Sequence, residues 1–571
     1  MKTQLRFAAA VLGLLICSGV YAQTLQEAKR YTESEQYDKA KSTFRQLVAK
    51  EPTNGDNFYY FGNLMMVVDD ADSAKKLYDQ GVAINATNPL VHIGLARYYF
   101  MTGNPAEGQK EIAYAKSLLT TQAGPKGTNI PVARQQEIYL EMAKVYIDAT
   151  PGDAQAAIDL TNAAENLDKK NPTAEIYLVR GDAQLKKDPV VATPAIEYYN
   201  KAAALDPKSA KAYVRIGRVY AAGKNMVSAI SFFNKALAIE PNFAPAYEYR
   251  GEAYYQIGKF DSAAVSYAKY LSINPDCYSR YRYTAFLYKS GDYENAIKQG
   301  DLVLACDSSI TVVYRIIGRC YLEMKNPDAN KAIVYFDKFF EKQKQYGKPK
   351  LIADDYIYRG RALSKNNKDS LAVIDYEKGL AVDTSRNDIY FDVATAYFKM
   401  KKYDKAGIYY KKKIDVNPSK ATISDWNAYG RALYSQKDYV NADSAFKKVT
   451  EIDPKNPIGW FWRGRANAQQ DPDGKKGQAR PYYESYLDLA MADSLNKEKN
   501  KKDMISAATY LASYHFVVLK NYSCAKAYYL FIASLDANNE AAKTALEQDK
   551  NIKAATAAEM ATCKLPASGT K

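Results

Sequence analysis

Residues 213–241 read YVRIGRVYAAGKNMVSAISFFNKALAIEP, and residues 247–275 read YEYRGEAYYQIGKFDSAAVSYAKYLSINP. The two stretches align at a displacement of 34 residues and share an order of aromatic, Gly, aromatic, Ala and Pro positions. These positions are Tyr213 and Tyr247, Gly217 and Gly251, Tyr220 and Tyr254, Ala229 and Ala263, and Pro241 and Pro275. A fixed period of this length predicts an architecture of stacked repeats.

The spacing inside one period has a physical cause. A small residue in a first helix and an Ala 12 residues later, in a second helix, let the two helices approach closely. Large aromatic side chains fill the groove around that contact, and the Pro after the second helix forces a turn. Because no unit buries its apolar face alone, the units must stack on one another.

This pattern resembles the tetratricopeptide repeat, a helix–turn–helix unit with the same period. The resemblance implies an all-α solenoid, a right-handed superhelix with roughly seven to eight repeats per turn, whose first helices line a concave groove. Such a protein is normally a non-catalytic binding scaffold. The small residue of the first helix recurs about fourteen times, at Ala28, Gly62, Ala96, Ala143, Gly181, Gly217, Gly251, Ala285, Gly318, Gly360, Ala394, Gly430, Gly464 and Ala512.

The repeats set the predicted organisation of the chain. It consists of a signal peptide at residues 1–22, repeats at 23–122 and 131–537, a capping helix at 538–563 and a flexible tail at 564–571. Four insertions interrupt the period, and their Gly, Pro or Lys content predicts loops. The insertions are residues 121–131, 343–350, 470–478 and 490–502.

The N-terminus has the features of an export signal. Two cations precede the apolar run of residues 7–16, and small residues at positions 20 and 22 predict cleavage before Gln23. A lipid anchor on Cys17 is the alternative, but Ile16 does not suit the position before a lipidated cysteine. No later segment is long and apolar enough to cross a membrane. We therefore expect a periplasmic or outer-membrane-associated protein of a Gram-negative bacterium.

Composition narrows the function further. The chain has 79 Lys and Arg against 64 Asp and Glu, a net charge of +15, which suits anionic partners. Export argues against nucleic acid as that partner. The chain has only two histidines, and it has no phosphate-binding loop, zinc-protease motif, nucleophile elbow or dinucleotide fingerprint. We expect neither an enzyme nor a cofactor, and no metal site.

A row of cations follows the small residue of the first helix. It consists of Arg97, Lys144, Arg218, Arg319, Arg361, Arg431 and Arg465. Other residues interrupt the row at Asn63, Asp182, Glu252, Phe286 and Thr395. In the family that the sequence resembles, this position faces the groove. The row predicts either a cationic groove for an acidic protein, peptide or polymer, or solvated cations paired with neighbouring acids.

The 50 tyrosines raise an alternative function. Aromatic rings can stack on sugars, so a glycan- or peptidoglycan-binding module is the rival to a protein-interaction scaffold. However, many tyrosines fall at the repeat positions that predict core packing, among them Tyr220, Tyr267, Tyr397 and Tyr410. We therefore favour a scaffold that binds a protein or peptide of the cell envelope.

Two kinds of covalent site are predicted. Cys277 opens a first helix and Cys306 closes the second helix of the same repeat, so a disulfide between them is expected, with Cys320 buried and free. An Asp-Ser-apolar motif also recurs, and it looks like the O-glycosylation sequon of some Gram-negative bacteria. Its candidate serines are Ser73, Ser262, Ser370, Ser444 and Ser494. Helix capping is the alternative explanation of the motif.

Overall fold

The computed structural model describes residues 24–124, 129–493, 496–561 and 563. Within these ranges the regular structure is helical, and no strand is present. The predicted signal peptide, the predicted tail and the candidate serine Ser494 lie outside the described residues.

The chain divides into two compact units, residues 1–316 and 317–571, which we call unit 1 and unit 2. The division falls within the helix Val312–Glu323. Labelled in chain order, the helices of unit 1 are α1 Leu25–Glu33, α2 Tyr37–Lys50, α3 Gly55–Val67, α4 Ala71–Ile84, α5 Pro89–Met101, α6 Pro105–Ala123, α7 Val132–Asp148, α8 Ala154–Leu167, α9 Ala174–Lys187, α10 Thr193–Leu205, α11 Ala210–Ala222, α12 Met226–Ile239, α13 Ala244–Gln256, α14 Phe260–Ile273, α15 Cys277–Ser290 and α16 Tyr293–Cys306.

The remaining helices are α17 Val312–Glu323, α18 Ala329–Tyr346, α19 Ala353–Lys365, α20 Asp369–Val382, α21 Tyr390–Lys399, α22 Tyr403–Val416, α23 Ile423–Ser435, α24 Tyr439–Ile452, α25 Pro457–Gln470, α26 Arg480–Ala492, α27 Lys497–Ser513, α28 Tyr522–Leu535, α29 Glu540–Gln548, α30 Lys550–Ala554 and α31 Ala557–Met560. Two 3₁₀ turns, Asn387–Ile389 and Pro418–Lys420, and a π-helical turn, Tyr514–Val518, complete the regular structure.

Odd-numbered helices up to α27 are first helices, and the even-numbered helix after each one is its second helix. The fourteen pairs confirm the predicted all-α repeat fold. A glycine makes room for an aromatic ring within a pair. A Cβ atom on Gly251 would lie 2.8 Å from Cδ2 of Tyr267, and one on Gly217 would lie 2.5 Å from Cε1 of Phe233. Both rings are buried, so the small residue and the ring together set the spacing of the two helices.

The first helices form one layer of the stack. In unit 1, α1 contacts α3, α3 contacts α5, α5 contacts α7, and α7 contacts α9. A second helix packs between the first helix of its own repeat and that of the next, as α4 does between α3 and α5. Because the elements of a curved stack are closest on its inner side, we call the layer of first helices the inner layer.

In unit 1, the first repeat contacts repeats that lie later in the chain. Lys211 Nζ on α11 lies 2.9 Å from Glu33 Oε1 at the end of α1. The backbone N–H of Ala244, at the start of α13, donates to the carbonyl of Ser34 at 3.3 Å. The first repeat therefore contacts the sixth and seventh repeats, a shorter spacing than the seven to eight repeats per turn that the family resemblance implies.

Several predicted boundaries differ from the structure. The loops predicted at residues 121–131 and 343–350 begin inside helices, since α6 ends at Ala123 and α18 ends at Tyr346. The loop predicted at residues 490–502 is largely helical, since α26 extends to Ala492 and α27 begins at Lys497. The lysines that predict a loop there are good helix formers, so they extend the first helix of the last repeat. The expected single capping helix is three short helices, α29 to α31, that pack on α28.

Candidate ligand-binding groove

All seven predicted groove cations lie on first helices and therefore in the inner layer. Arg97 is on α5, Lys144 on α7, Arg218 on α11, Arg319 on α17, Arg361 on α19, Arg431 on α23 and Arg465 on α25. The structure separates them into two groups by their partners. Four have a carboxylate as an ion-pair partner, and three lie over aromatic rings.

The paired cations of unit 1 are Arg97 and Lys144. Arg97 donates to Asp148, at the end of α7. Lys144 Nζ lies 2.9 Å from a carboxylate oxygen of Glu141 and 2.9 Å from one of Glu175. Burial alone would lower the pKa of the Lys144 ammonium, but the two carboxylates outweigh burial and raise it above its usual range. These cations are neutralised within the repeat stack.

The paired cations of unit 2 are Arg319 and Arg361. Arg319 Nη2 donates to Asp354 Oδ2 at 3.3 Å, and Asp354 also accepts from Arg386. Arg361 Nε donates to Asp392 Oδ2 at 2.9 Å. Each carboxylate belongs to the repeat after that of the groove arginine. Arg319 and Arg361 are therefore cations paired with neighbouring acids, which is the second of the two interpretations of the row.

The other three groove cations are Arg218, Arg431 and Arg465. In the described ranges of the chain, none of them has a carboxylate oxygen within 4.0 Å. Arg218 lies over the ring of Tyr249, with its Cζ 4.8 Å from the ring centroid. Arg218 and Arg431 are exposed, and Arg465 is half-buried. These guanidinium groups keep donors for an added anion.

Arg431 and Arg465 share one aromatic ring in unit 2. The Cζ atoms lie 5.5 Å and 4.7 Å from the ring centroid of Trp462, so the two guanidinium groups are at most about 10 Å apart. The indole of Trp462 is already packed, stacked on Phe446 at 5.5 Å and edge-on to Tyr434 at 5.4 Å. The ring therefore holds the two arginines in place rather than offering a free face to a sugar.

The sequence pattern missed arginines of the inner layer that pair with an acid at the groove position. Arg215 donates to both carboxylate oxygens of Asp182, at 2.7 Å from Nε to Oδ1 and 2.7 Å from Nη2 to Oδ2. Arg282 donates to Glu252. Asp182 and Glu252 occupy the groove position where other repeats carry a cation. An acid at this position pairs with an arginine of the next repeat. The acids that interrupt the row of cations therefore indicate these ion pairs in the sequence.

The five cysteines in the described ranges form two disulfides and leave one free thiol. Cys277 and Cys306 are bonded, with their Cα atoms 6.0 Å apart, and Cys320 is a buried free thiol. Cys524, in the first turn of α28, is bonded to Cys563, which follows α31. The sequence does not predict the second bond. Cys563 reaches Cys524 because the short helix α31 packs on α28.

The candidate glycosylation serines differ in exposure. Ser370 and Ser444 are exposed, whereas Ser73 and Ser262 are half-buried. The helix caps are other residues: Asp70 caps α4, and Asp438 caps α24. Capping by the motif itself therefore does not explain its recurrence.

Both histidines pack within repeats. His92 Nδ1 lies 2.7 Å from Glu111 Oε2, and its Nε2 lies 2.9 Å from the carbonyl oxygen of Ala86. His515 is buried, and its ring centroid lies 5.7 Å from that of Tyr528. In the described part of the chain, no helix has the length and apolar content that a membrane crossing requires.

Two family models, both described as tetratricopeptide repeat, match the sequence. One matches residues 194–244 and 427–494, and the other matches residues 244–277 and 388–420. A comparison with curated proteins found no match.

Several solved structures are similar to parts of the chain. The C-terminal part of a tetratricopeptide-repeat protein from Cytophaga hutchinsonii is 32% identical, and the similarity covers 47% of this chain and 99% of that one, with a TM-score of 0.40. A tetratricopeptide-repeat protein from Parabacteroides merdae is 18% identical over 46% of this chain and 99% of its own, with a TM-score of 0.31. The pilF protein of Pseudomonas aeruginosa is 18% identical over 38% of this chain and 95% of its own, with a TM-score of 0.31.

Proposed function

The chain contains tetratricopeptide repeats in both units, and we propose that it is an exported, non-catalytic scaffold that binds an acidic protein partner on the inner layer of unit 2. Proteins built from such repeats are generally protein-interaction scaffolds. The partner belongs to the cell envelope, because the N-terminal residues have the features of an export signal.

One observation carries this proposal: Arg431 and Arg465 lie on successive first helices and have aromatic rings, but no described carboxylate, as close partners. Arginine and tryptophan are the residues most enriched where binding energy concentrates at interfaces. An extended acidic segment places side chains of one face about 7 Å apart, which two guanidinium groups in this arrangement can bridge. The packed indole of Trp462 favours such a segment over a neutral sugar.

The test compares two double variants of the mature protein. Arg431→Gln with Arg465→Gln removes the two cations that lack carboxylates, while Arg319→Gln with Arg361→Gln removes two that are already paired. We expect envelope proteins captured by the wild type to fall about 10-fold or more in yield with the first variant. The captured partner should have an acidic binding segment, and its affinity should weaken as salt rises.

The Arg319 and Arg361 variant is the matched control. Because its arginines already satisfy Asp354 and Asp392, it should retain the partners, with at most a small loss of stability. Equal recovery of the same partners by both double variants and the wild type would show that the Arg431 and Arg465 pair is a solvated surface.

The candidate O-glycosylation sites are consistent with the proposed export of the protein. Ser370 and Ser444 are exposed on second helices and can meet a transferase after folding. The mature protein from its native host is accordingly proposed to carry O-linked glycans there. An intact mass equal to that of the bare polypeptide starting at Gln23 would contradict this assignment.

A further inference from the structure

Unit 1 has a cavity of about 560 Å³ on its inner layer. It spans three consecutive first helices, α7, α9 and α11, and the loop that follows α9. Its apolar wall includes Ile147, Leu185, Pro189, Val219 and Ala222. The volume lies within the range of about 300–1,000 Å³ that is usual for small-ligand pockets, which are mostly apolar with a few placed polar groups.

The carboxylates of this cavity already have cationic partners. Asp182 accepts two hydrogen bonds from Arg215 and one from the hydroxyl of Tyr199 at 2.7 Å. Asp148 accepts from Arg97. These acids are therefore poor partners for a cationic ligand.

The charges that remain on the cavity wall are both positive. Arg218 and Lys186 line it, and neither has a carboxylate within 4.0 Å among the residues that the structure describes. Lys186 Nζ donates to the carbonyl oxygen of Ala149 at 2.9 Å, whereas the guanidinium of Arg218 lies over the ring of Tyr249. Arg218 is therefore the group best placed to meet an anion at the end of an apolar wall.

Glu35 and Glu33 could compete for Arg218, because both line a neighbouring cavity that Arg218 also borders. Glu33 is paired with Lys211. Burial, together with the nearby carboxylate of Glu248, raises the pKa of Glu35 to about 7. Glu35 is thus partly protonated near neutral pH, and it offers Arg218 only a fraction of a negative charge.

The turn that contains the lining residue Pro189 also carries two exposed valines. Val190 is 91% exposed and Val191 is 53% exposed, and both follow Pro189 in the sequence. The side chain of Asp188 accepts the backbone N–H groups of both valines at 3.0 Å. The turn therefore presents aliphatic side chains to solvent next to a residue of the cavity wall.

We propose that this cavity binds an aliphatic carboxylate, with the apolar part against Leu185, Val219 and Ala222 and the carboxylate on Arg218. The ligand of this chemistry is a free aliphatic acid. The site goes beyond the proposed function, since it lies in unit 1 and uses neither Arg431 nor Arg465.

Titration calorimetry with the full mature protein tests the proposal. The probes are octanoate against octanamide, and the peptide acetyl-Ala-Ala-Leu as free acid against its C-terminal amide. We expect octanoate to bind saturably and at least about 10-fold more tightly than octanamide, since a charge-assisted hydrogen bond is lost in the amide. The peptide acid should bind more weakly than octanoate.

Two variants separate charge from volume. Arg218→Gln should weaken the acid about 10-fold or more and leave the amide nearly unchanged. Ala222→Leu fills the cavity and should weaken both. The controls are Lys208→Gln and Ala204→Leu, which change exposed residues of unit 1 outside the cavity and should bind as the wild type does.

Four outcomes would overturn the assignment: no saturable binding of octanoate, equal binding of octanoate and octanamide, tighter binding of the peptide acid than of octanoate, or an Arg218→Gln variant that binds octanoate as tightly as the wild type. The Arg431→Gln, Arg465→Gln variant should bind these probes normally. Loss of envelope partners without loss of the probes, or the reverse, therefore tells the two sites apart.

Discussion

At the residue scale, Glu35 is an acid whose surroundings disfavour its charged form. It lies in the turn between α1 and α2, and its Oε2 is buried without a hydrogen-bond partner in the described ranges. Burial and Glu248 raise its pKa to about 7, Asp276 adds to the rise, and the Tyr270 hydroxyl and Arg218 oppose it. The contact between the first repeat and later repeats of unit 1 therefore contains an acid that resists ionisation.

This carboxyl makes the stability of unit 1 depend on pH. Because the folded protein holds the proton more tightly than the unfolded chain, whose Glu titrates near 4.5, the contribution is complete below about pH 4.5 and is lost as pH rises through about 7. Glu35→Gln should therefore raise the free energy of unfolding at pH 8 by on the order of 1–2 kcal/mol, and change it little at pH 5. Denaturant unfolding at the two pH values measures the difference.

The control for this prediction is Glu294→Gln, which changes an exposed glutamate on α16. It should leave the pH dependence as it is in the wild type. A Glu35→Gln variant that is equally stabilised at pH 5 and pH 8, or not stabilised at pH 8, would contradict the titration of Glu35.

At the element scale, the disulfide between Cys277 and Cys306 ties the start of α15 to the end of α16. These ends meet because the two helices are antiparallel. The bond closes a loop with a sequence separation of 29, so Cys277→Ser with Cys306→Ser should cost about 3 kcal/mol in the chain-entropy description. Hydrogen exchange should become faster in α15 and α16, while α3 to α8 keep their protection.

Peptide mapping without reductant is the direct measurement of this bond. It should recover the Cys277–Cys306 and Cys524–Cys563 linkages, with Cys320 as the free thiol. Burial raises the pKa of Cys320 well above its usual range, so it should react slowly with alkylating agents in the folded protein. Rapid alkylation of both Cys277 and Cys306 in oxidised material would contradict the pairing.

At the scale of the whole molecule, the positive charge is concentrated in unit 2. Residues 317–571 contain 43 Lys and Arg against 31 Asp and Glu, whereas residues 23–316 contain 34 against 33. Poly-glutamate added to the mature protein should therefore slow hydrogen exchange mainly in first helices of unit 2, above all α23 and α25. High salt should abolish the effect, and equal protection of unit 1 would show that charge does not direct the binding.

Most of the fold was predictable because its rules are local. Residues 12 to 34 positions apart set the helix pairs, and the order of Gly217, Ala229 and Phe233 within one period predicts which residues touch. The extent of α27 was not predicted, because lysines favour both exposed loops and exposed helices. Only the packing of the last repeat distinguishes the two.

The sequence was enough to predict the helical repeat, the position of its small residues and the row of cations on the first helices. The folded structure determines which cations remain without a carboxylate: Arg319 pairs with Asp354, whereas Arg431 contacts aromatic rings and has no carboxylate partner among the described residues. It also brought Glu35 against Glu248 and joined Cys524 to Cys563. The two differ in the sequence separation of the contacts that decide them. Helix pairing follows from contacts within one period, whereas the charge state of a groove depends on side chains from neighbouring and distant repeats.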